Sequence, residues 1–390
     1  MVDSSSARSA GGADPTPEAG AAEILLNDFG RQWADVGGAA LEAVQRVGAS
    51  GWYILGKEVA AFESALADLV RRARVVGCAS GLDAIELALR AAGLRPGQRV
   101  LTTPLSAFAT TLAIVRAGGV PVFVDVDEFG LIDLAQCRAV LARDASIRFL
   151  VPVHLYGHAL NSKALAELAR DFELVIIEDC AQSIGAEFEG QAVGTLGRAA
   201  ALSFYPTKNL GAMGDAGAIA CDDAEFAARC RALANYGQTE RYRHELVGMN
   251  SRLDELQAAL LQGAMLPKLQ TWTQRRRAIA AAYRAGLNNP HVTVPGAPAG
   301  SASVWHLFPV LVAARDGFRE HLANCGVQSA IHYPISIPAQ AAMKQVPHEV
   351  ALPLTRAQTF TAHEVSLPIH PYLSDVEVER VIAVVNRWQP

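Results

Sequence analysis

The stretch SFYPTKNLGAMGDAG, residues 203–217, sets one lysine, Lys208, between an apolar run that reads as a buried strand and glycines at 211, 214 and 217. An amine held in a turning, closely approached backbone suits nucleophilic chemistry if other groups converge on it; otherwise it is an ordinary loop lysine. A second stretch, VIIEDCAQSIGA, ends an apolar strand with Glu178 and Asp179. Side chains alternate along a strand, so the two acids point to opposite faces of a sheet. The one aimed into a cleft can serve as a base, a metal ligand or the partner of a cationic ring. In a third stretch, CASGLDAIELAL, Ser80, Gly81 and Leu82 stand at a helix start with Asp83 in the first turn. Free backbone N–H groups there suit a phosphate. A serine cap followed by a tolerant glycine explains the same pattern.

Other chemistries find less support. HLYGH sets His154 and His158 four apart, but Gly157 and the strand context deny them a shared helical face. No HExxH, acidic cluster or CxxC is present, so no metal is expected. GxSxG and the Walker loop are also missing, and no GxGxxG follows the first strand. A nicotinamide-linked oxidoreductase, the competing α/β reading, therefore lacks its fingerprint. Pyridoxal 5'-phosphate would use the observed groups together. It needs a lysine amine, a carboxylate for its ring nitrogen, phosphate donors and a flat apolar partner. Lys208, Asp179, the Ser80–Leu82 helix start with Ser203, and Phe108 supply these in turn. Phe108 also reads as a plain core aromatic.

These residues must be positioned by a large fold. The chain has 390 residues, 51% of them hydrophobic, and a formal net charge of -5. That balance gives no electrostatic drive toward nucleic acid or an anionic membrane. The six scattered cysteines read as reduced buried thiols. Residues 1–20, rich in Ser, Ala, Gly and Pro, read as a disordered tail without a signal segment, and a cytoplasmic protein is expected. From about Lys57, strand-like runs such as QRVLTTP, VPVFVDVD, IRFLVPVHLYG and ELVIIEDCAQ alternate with helical patterns. This rhythm predicts βαβ crossovers and a mainly parallel sheet with helices on both faces. FEGQAVG reads as a hairpin, and AALSFYP and GAIACDD add two strands. A helical region from about Leu253 to Leu287 breaks near Pro267. The expected organisation is an N-terminal helix and large domain over 21–265, and a smaller α+β domain over 266–390.

The motifs GWYILGKEVAAFE, PVHLYG, EDCAQSIGA, SFYPTKNLGAMGD, GMNSRLDELQAALL and IHYP resemble those of the DegT/DnrJ/StrS-type nucleotide-sugar aminotransferases, which are fold type I pyridoxal-phosphate enzymes. The resemblance spans nearly everything but the tail. It implies that Lys208 is the Schiff-base lysine, that Asp179 pairs with the ring nitrogen and that Gln182 lies near the ring's phenolic oxygen. Phe108 would stack on the ring, although SAFATT stands where the family commonly has TFxAT. Ser203 and the backbone of Gly81 and Leu82 would hold the phosphate, with Asn250 reaching it from the second subunit of a homodimer with shared active sites. Arg252, His332 and Tyr333 are the expected contacts to substrate or donor carboxylate. Arg252 also reads as half of an ion pair with Asp254 or Glu255. L-glutamate is the expected donor and a dTDP-linked 3-keto-6-deoxyhexose the expected acceptor. A UDP-linked 3-keto-N-acetylhexosaminuronate and a non-catalytic regulatory role are the alternatives.

Overall fold

Strands form where short apolar runs are bounded by turn residues, and helices where apolar positions recur at helical spacing behind a capping side chain. The protein is described here by a computed structural model covering residues 22–390; the expected tail lies outside the described residues. After α1 (Phe29–Ser50) and α2 (Lys57–Val70) come β1 (Arg74–Cys78), α3 (Gly81–Ala91), β2 (Arg99–Thr102), α4 (Phe108–Arg116), β3 (Val120–Phe123), α5 (Leu134–Arg143), β4 (Phe149–Val151), α6 (Ser162–Phe172) and β5 (Val175–Asp179). The side chains of Asp28, Ser80, Asp133 and Asn161 cap α1, α3, α5 and α6. The expected hairpin is β6 (Glu187–Phe188) with β7 (Gln191–Ala192), followed by β8 (Ala199–Ser203), β9 (Gly217–Cys221) and α7 (Ala224–Ala234).

The strands lie in the order β1-β9-β8-β5-β4-β2-β3. All neighbours are parallel except the two pairs made by β9, which runs against both β1 and β8. The sheet is thus mixed but mainly parallel, as the crossovers demanded. Its central strands are buried on both faces, which accounts for their nearly continuous apolar runs.

A surface ribbon, β10 (Gln238–Glu240) with β11 (Arg243–His244), leads to α8 (Glu255–Leu260). A π-helical turn at Leu261–Met265 and a 3-10 turn at Leu266–Lys268 then precede α9 (Leu269–Gly286), so the helical region breaks beside Pro267 as expected. The remainder comprises β12 (Ser301–Ala302), β13 (Phe308–Leu311), α10 (Arg315–Asn324), β14 (Glu349–Val350), α11 (Thr355–His363), β15 (Glu364–Leu367) and α12 (Asp375–Arg387). VQSAIHYP, which looks extended in the sequence, makes only isolated bridges at Val327 and Ala330. The chain's ends also interleave. Ile24 joins the C-terminal core with Tyr283, Phe308 and Val381, while β14 adds to the edge of the large sheet beside β3.

Candidate active site

Lys208 sits on the loop that follows β8. Its backbone N–H donates to the Tyr205 carbonyl at 2.8 Å, and Ala212 N–H donates to the Phe204 carbonyl at 2.7 Å, closing a tight turn. The glycines that follow meet real demands. A Cβ on Gly211 would lie 2.3 Å from the Pro206 carbonyl oxygen, and one on Gly217 would lie 2.3 Å from the Ser80 carbonyl carbon. The amine looks into a cavity of about 730 Å³ at the carboxyl ends of the central strands. That is where open α/β sheets place their ligands. Burial lowers the Lys208 pKa to about 8 against the opposing pull of Asp179.

Asp179 ends β5 and points into the same cavity. Thr110 Oγ1 donates to its Oδ2 at 2.8 Å and Ala181 N–H to its Oδ1 at 3.0 Å. Burial raises its pKa, and these bonds and Lys208 only partly offset that. Glu178 takes the opposite face, as strand alternation requires. His154 Nε2 donates to it at 3.1 Å, and the backbone N–H groups of Gly194, Leu196 and Gly197 donate to its two oxygens. Burial alone would push the Glu178 carboxyl up, but His154 and these donors hold it below the usual range. His154, Glu178 and Cys180 lie within reach of a common ion. Both His154 ring nitrogens are already engaged, however, since Nδ1 accepts from Leu160 N–H at 3.1 Å. This group therefore reads as a structural knot.

The helix start at residues 80–82 lies directly against Ser203, and both line the cavity. Ser80 Oγ is occupied as the cap of α3, accepting from Asp83 N–H at 3.1 Å. A Cβ on Gly81 would stand 2.6 Å from the Ser203 Cβ, so only glycine leaves room between the helix N-terminus and the strand end. Ser251, which sequence reasoning passed over, braces this turn. Its hydroxyl accepts from Ala79 N–H at 3.1 Å and donates to Asp83 Oδ2 at 2.8 Å.

Gln182 is held by its side-chain oxygen, which accepts from Tyr156 N–H at 2.7 Å. Its amide nitrogen donates to the Tyr333 hydroxyl at 3.3 Å. Tyr156, in turn, donates its hydroxyl to the His332 carbonyl at 2.7 Å, so the C-terminal HYP segment is tied to the large sheet at the cavity rim. Burial and Lys208 lower the His332 pKa to about 4. His306, also unmarked in the sequence, lines the cavity with its Nδ1 against Asn209 Oδ1 at 3.1 Å.

Eight of the anticipated residues thus share one cavity: Lys208, Asp179, Gln182, Ser203, Gly81, Leu82, His332 and Tyr333. Three stand apart. Phe108 opens α4 half-buried against the core around Tyr156 and Leu105, and the cavity wall there is made by Ser106, Ala107, Ala109 and Thr110. Asn250 is exposed, bridged to Asn235. Arg252 forms no ion pair with Asp254 or Glu255. Its Nη1 donates to Asn235 Oδ1 at 3.0 Å and its guanidinium lies 5.2 Å from the Tyr236 ring centre. Glu255 is already committed to the backbone N–H groups of Gly56, Glu58 and Val59 at the start of α2.

The sequence profile of the DegT/DnrJ/EryC1/StrS aminotransferase family matches residues 35–386. The chain belongs to this family. Its fold is that of a fold type I aminotransferase, and pyridoxal phosphate is the family's cofactor. The crystal structure of DesV from Streptomyces venezuelae superposes with a TM-score of 0.89 at 39% identity, covering 94% of this chain and 99% of that one. The dTDP-3-amino-3,6-dideoxy-alpha-D-galactopyranose transaminase of Aneurinibacillus thermoaerophilus is 42% identical over 349 residues, 89% of this chain and 94% of that one. The UDP-2-acetamido-2-deoxy-3-oxo-D-glucuronate aminotransferase of Pseudomonas aeruginosa is 35% identical over 368 residues, 93% and 99% of the two chains. The site fits the aminotransferase cofactor on its own terms. It joins a partly neutral lysine, a buried carboxylate that bonds no cationic side chain among the described residues, and a helix N-terminus at Gly81 packed against Ser203 at the cavity wall. None of the described helices is long and apolar enough to cross a membrane.

Proposed function

We propose that this aminotransferase moves an amino group from L-glutamate to C3 of a nucleotide-linked ketosugar, with a dTDP-3-keto-6-deoxyhexose as the acceptor. The observation that carries this reading is the meeting of Lys208 and Asp179 in one cavity with the Gly81 helix start and Ser203. The relatives at 42% and 35% identity are named for 3-amino or 3-oxo nucleotide sugars, one dTDP-linked and one UDP-linked, and so favour C3 over C4.

Bound pyridoxal phosphate supplies the electron-withdrawing ring that makes the donor's α-proton acidic. Lys208 would hold the cofactor through Nζ, and its free amine would serve as the base for the donor's α-proton. With a pKa near 8 it is partly neutral at physiological pH, as this role requires. Asp179 would keep a proton on the ring nitrogen, and a cation there would relieve the cost of its own burial. Thr110 and Ala181 hold the carboxylate in place for it. Ser203 and the backbone of Gly81 and Leu82 hold the phosphate at the α3 N-terminus. Gln182, fixed by Tyr156 and Tyr333, donates toward the ring's phenolic oxygen, and Phe108 reaches the ring by turning in from the half-buried start of α4.

A second copy of the chain completes the site. Trp52, Tyr53, Ile54 and Leu55 leave a run of apolar side chains exposed, as do Tyr205 and Met213 of the lysine loop, and such exposure suits a dimer contact. Asn250, exposed on its own subunit, then serves the partner's phosphate cradle, and Arg252 serves a substrate carboxylate or phosphate.

The test is turnover of dTDP-3-keto-6-deoxyhexose with L-glutamate, with the position of the new amine read by NMR. Amination at C3 supports the proposal. Conversion only of a UDP-linked 3-keto-N-acetylhexosaminuronate would move the assignment to that substrate. Cofactor binding without turnover of either sugar would favour a regulatory role.

A further inference from the structure

β15 carries Glu364 and Ser366 two residues apart, so both side chains leave the same face of the strand, while Val365 and Leu367 fill the C-terminal core on the other. Glutamate and serine here are fully buried, which is costly unless their polar atoms are engaged. They are engaged in a line that leads to the cavity. Ser366 Oγ donates to Glu364 Oε1 at 2.5 Å and meets His332 Nδ1 at 2.9 Å. Glu364 Oε2 accepts the His332 backbone N–H, and Ser366 N–H donates to the Ala330 carbonyl at 2.8 Å, which pins the histidine's segment against the strand. His332 lines the cavity, and among the described residues its Nε2 has no hydrogen-bond partner. That nitrogen is the one left to meet a bound substrate.

We propose that Glu364, Ser366 and His332 form a proton relay that sets which way the cavity-facing nitrogen of His332 hydrogen-bonds; its use in amino transfer rests on the function proposed above. With Glu364 ionised, Ser366 donates to it and accepts Nδ1–H of His332, leaving Nε2 as a bare acceptor. When Nε2 takes a proton from a ligand, Nδ1–H passes to Ser366 Oγ and the Ser366 proton passes to Glu364 Oε1. One proton enters at Nε2, one reaches the carboxylate, and the imidazole ends neutral as the Nε2–H form. Direct formation of imidazolium is opposed by burial and Lys208, which lower the His332 pKa to about 4. The carboxyl, by contrast, is pushed by burial to about 8, so the proton is better held on Glu364 than as an imidazolium on His332. Arg315 and Arg319 on α10 favour ionised Glu364. Tyr156 and Tyr333 flank the group as neutral phenols, and Lys208 and His306 are the other titratable neighbours of His332. The relay suits a site that serves two substrates in turn. In its Nε2–H form it donates to a donor carboxylate or a keto oxygen, and in its bare form it accepts from a sugar hydroxyl or an ammonium.

The test is a pH titration of the full-length apoprotein labelled with 15N-histidine, reading the ring nitrogens by long-range 1H–15N correlation, with His332 assigned by its loss in His332→Gln. The expected result is a neutral His332 that changes from the Nε2–H to the Nδ1–H tautomer as pH rises through about 8. Glu364→Gln can only donate toward Ser366 while accepting the His332 backbone N–H, so it should lock the Nε2–H tautomer from pH 6 to 10. Ser366→Ala should abolish the pH-dependent change. A wild-type His332 that keeps one tautomer across this range, or becomes imidazolium within it, overturns the relay. A Glu364→Gln spectrum matching wild type at pH 10 does the same. None of these readings depends on cofactor, donor or sugar, so failure of the relay is separable from failure of the proposed activity. If Glu364→Gln does not fold, the wild-type titration and Ser366→Ala still decide.

Discussion

On one side of β5, Glu178 receives His154 and three backbone N–H groups; on the other, Asp179 receives only Thr110 and Ala181 and faces an open cavity. The two carboxylates are adjacent in sequence and alike in chemistry. Yet burial raises one pKa, while donors overcome burial and lower the other. A carboxylate whose acceptors are filled stabilises the fold. One left short of donors costs stability and waits for a cation, which under the proposed function the cofactor's ring nitrogen would supply.

The variants that separate these roles differ greatly in size of effect. Lys208→Ala, which under the proposed function removes both the cofactor's anchor and the base, should lower transamination by about 10⁴-fold or more with little change in apoprotein stability, checked by single-turnover kinetics and thermal melts. Asp179→Asn should lower turnover by about 10²- to 10³-fold. The amide can donate to Thr110, which can turn its own proton toward Ser106, 2.9 Å away. The Asp179→Asn apoprotein should therefore melt at the same temperature as wild type or higher. Glu178→Gln is the mirror image. Its amide must face N–H donors on at least one side, and the loss should be about 3 kcal/mol of stability, read by denaturant unfolding. A stable Glu178→Gln or an unstable Asp179→Asn would break the contrast.

The pH dependence should divide in the same way. Because the folded-state pKa of Glu178 is depressed, its contribution is present at neutral pH and is lost as pH falls below the ordinary glutamate range. Because that of Asp179 is raised, its ionisation works against folding, and the penalty fades on acidification. Asp179→Asn should therefore stabilise most at neutral pH and least in acid, which melts across pH would show. Capture of pyridoxal phosphate by the apoprotein should quicken with pH and level off above about 8, following the neutral fraction of Lys208, in stopped-flow absorbance. The smallest effect belongs to Ser251→Ala. Losing the brace on Ala79 and Asp83 should cost about 1 kcal/mol of cofactor retention, roughly fivefold in Kd, with the melting temperature little changed.

Much of this site was legible because its residues break local rules. Lys208 follows a buried strand among glycines, Asp179 ends an apolar run, and Gly81 follows a cap where a better helix former would otherwise serve. Residues that act by bracing others carry no such mark. Thr110 looks like one threonine among several in SAFATT, and Ser251 hides between the more conspicuous Asn250 and Arg252. Glu364 could have been noticed as a charge inside EVSL, an otherwise buried strand pattern. Phe108 is harder to read, because an aromatic at a helix start suits both a ring partner and the adjoining core against which it packs half-buried. The sheet was readable from its alternation of elements. The reversed direction of β9 and the return of β14 to the sheet edge were not, since pairing partners far apart in sequence leave no periodic trace.

The most direct measurement is the visible absorption spectrum of wild type, Lys208→Ala and Asp179→Asn after loading with pyridoxal phosphate and removing the excess, before and after L-glutamate. Wild type should show the near-visible band of lysine-bound cofactor and lose it to glutamate with release of 2-oxoglutarate. Lys208→Ala should show no such lysine-linked band, and Asp179→Asn should respond to glutamate at least about 10²-fold more slowly. A Lys208→Ala protein that keeps the wild-type band and response, or a wild type that glutamate leaves unchanged, would contradict the assignment of Lys208 and Asp179 to amino transfer from glutamate.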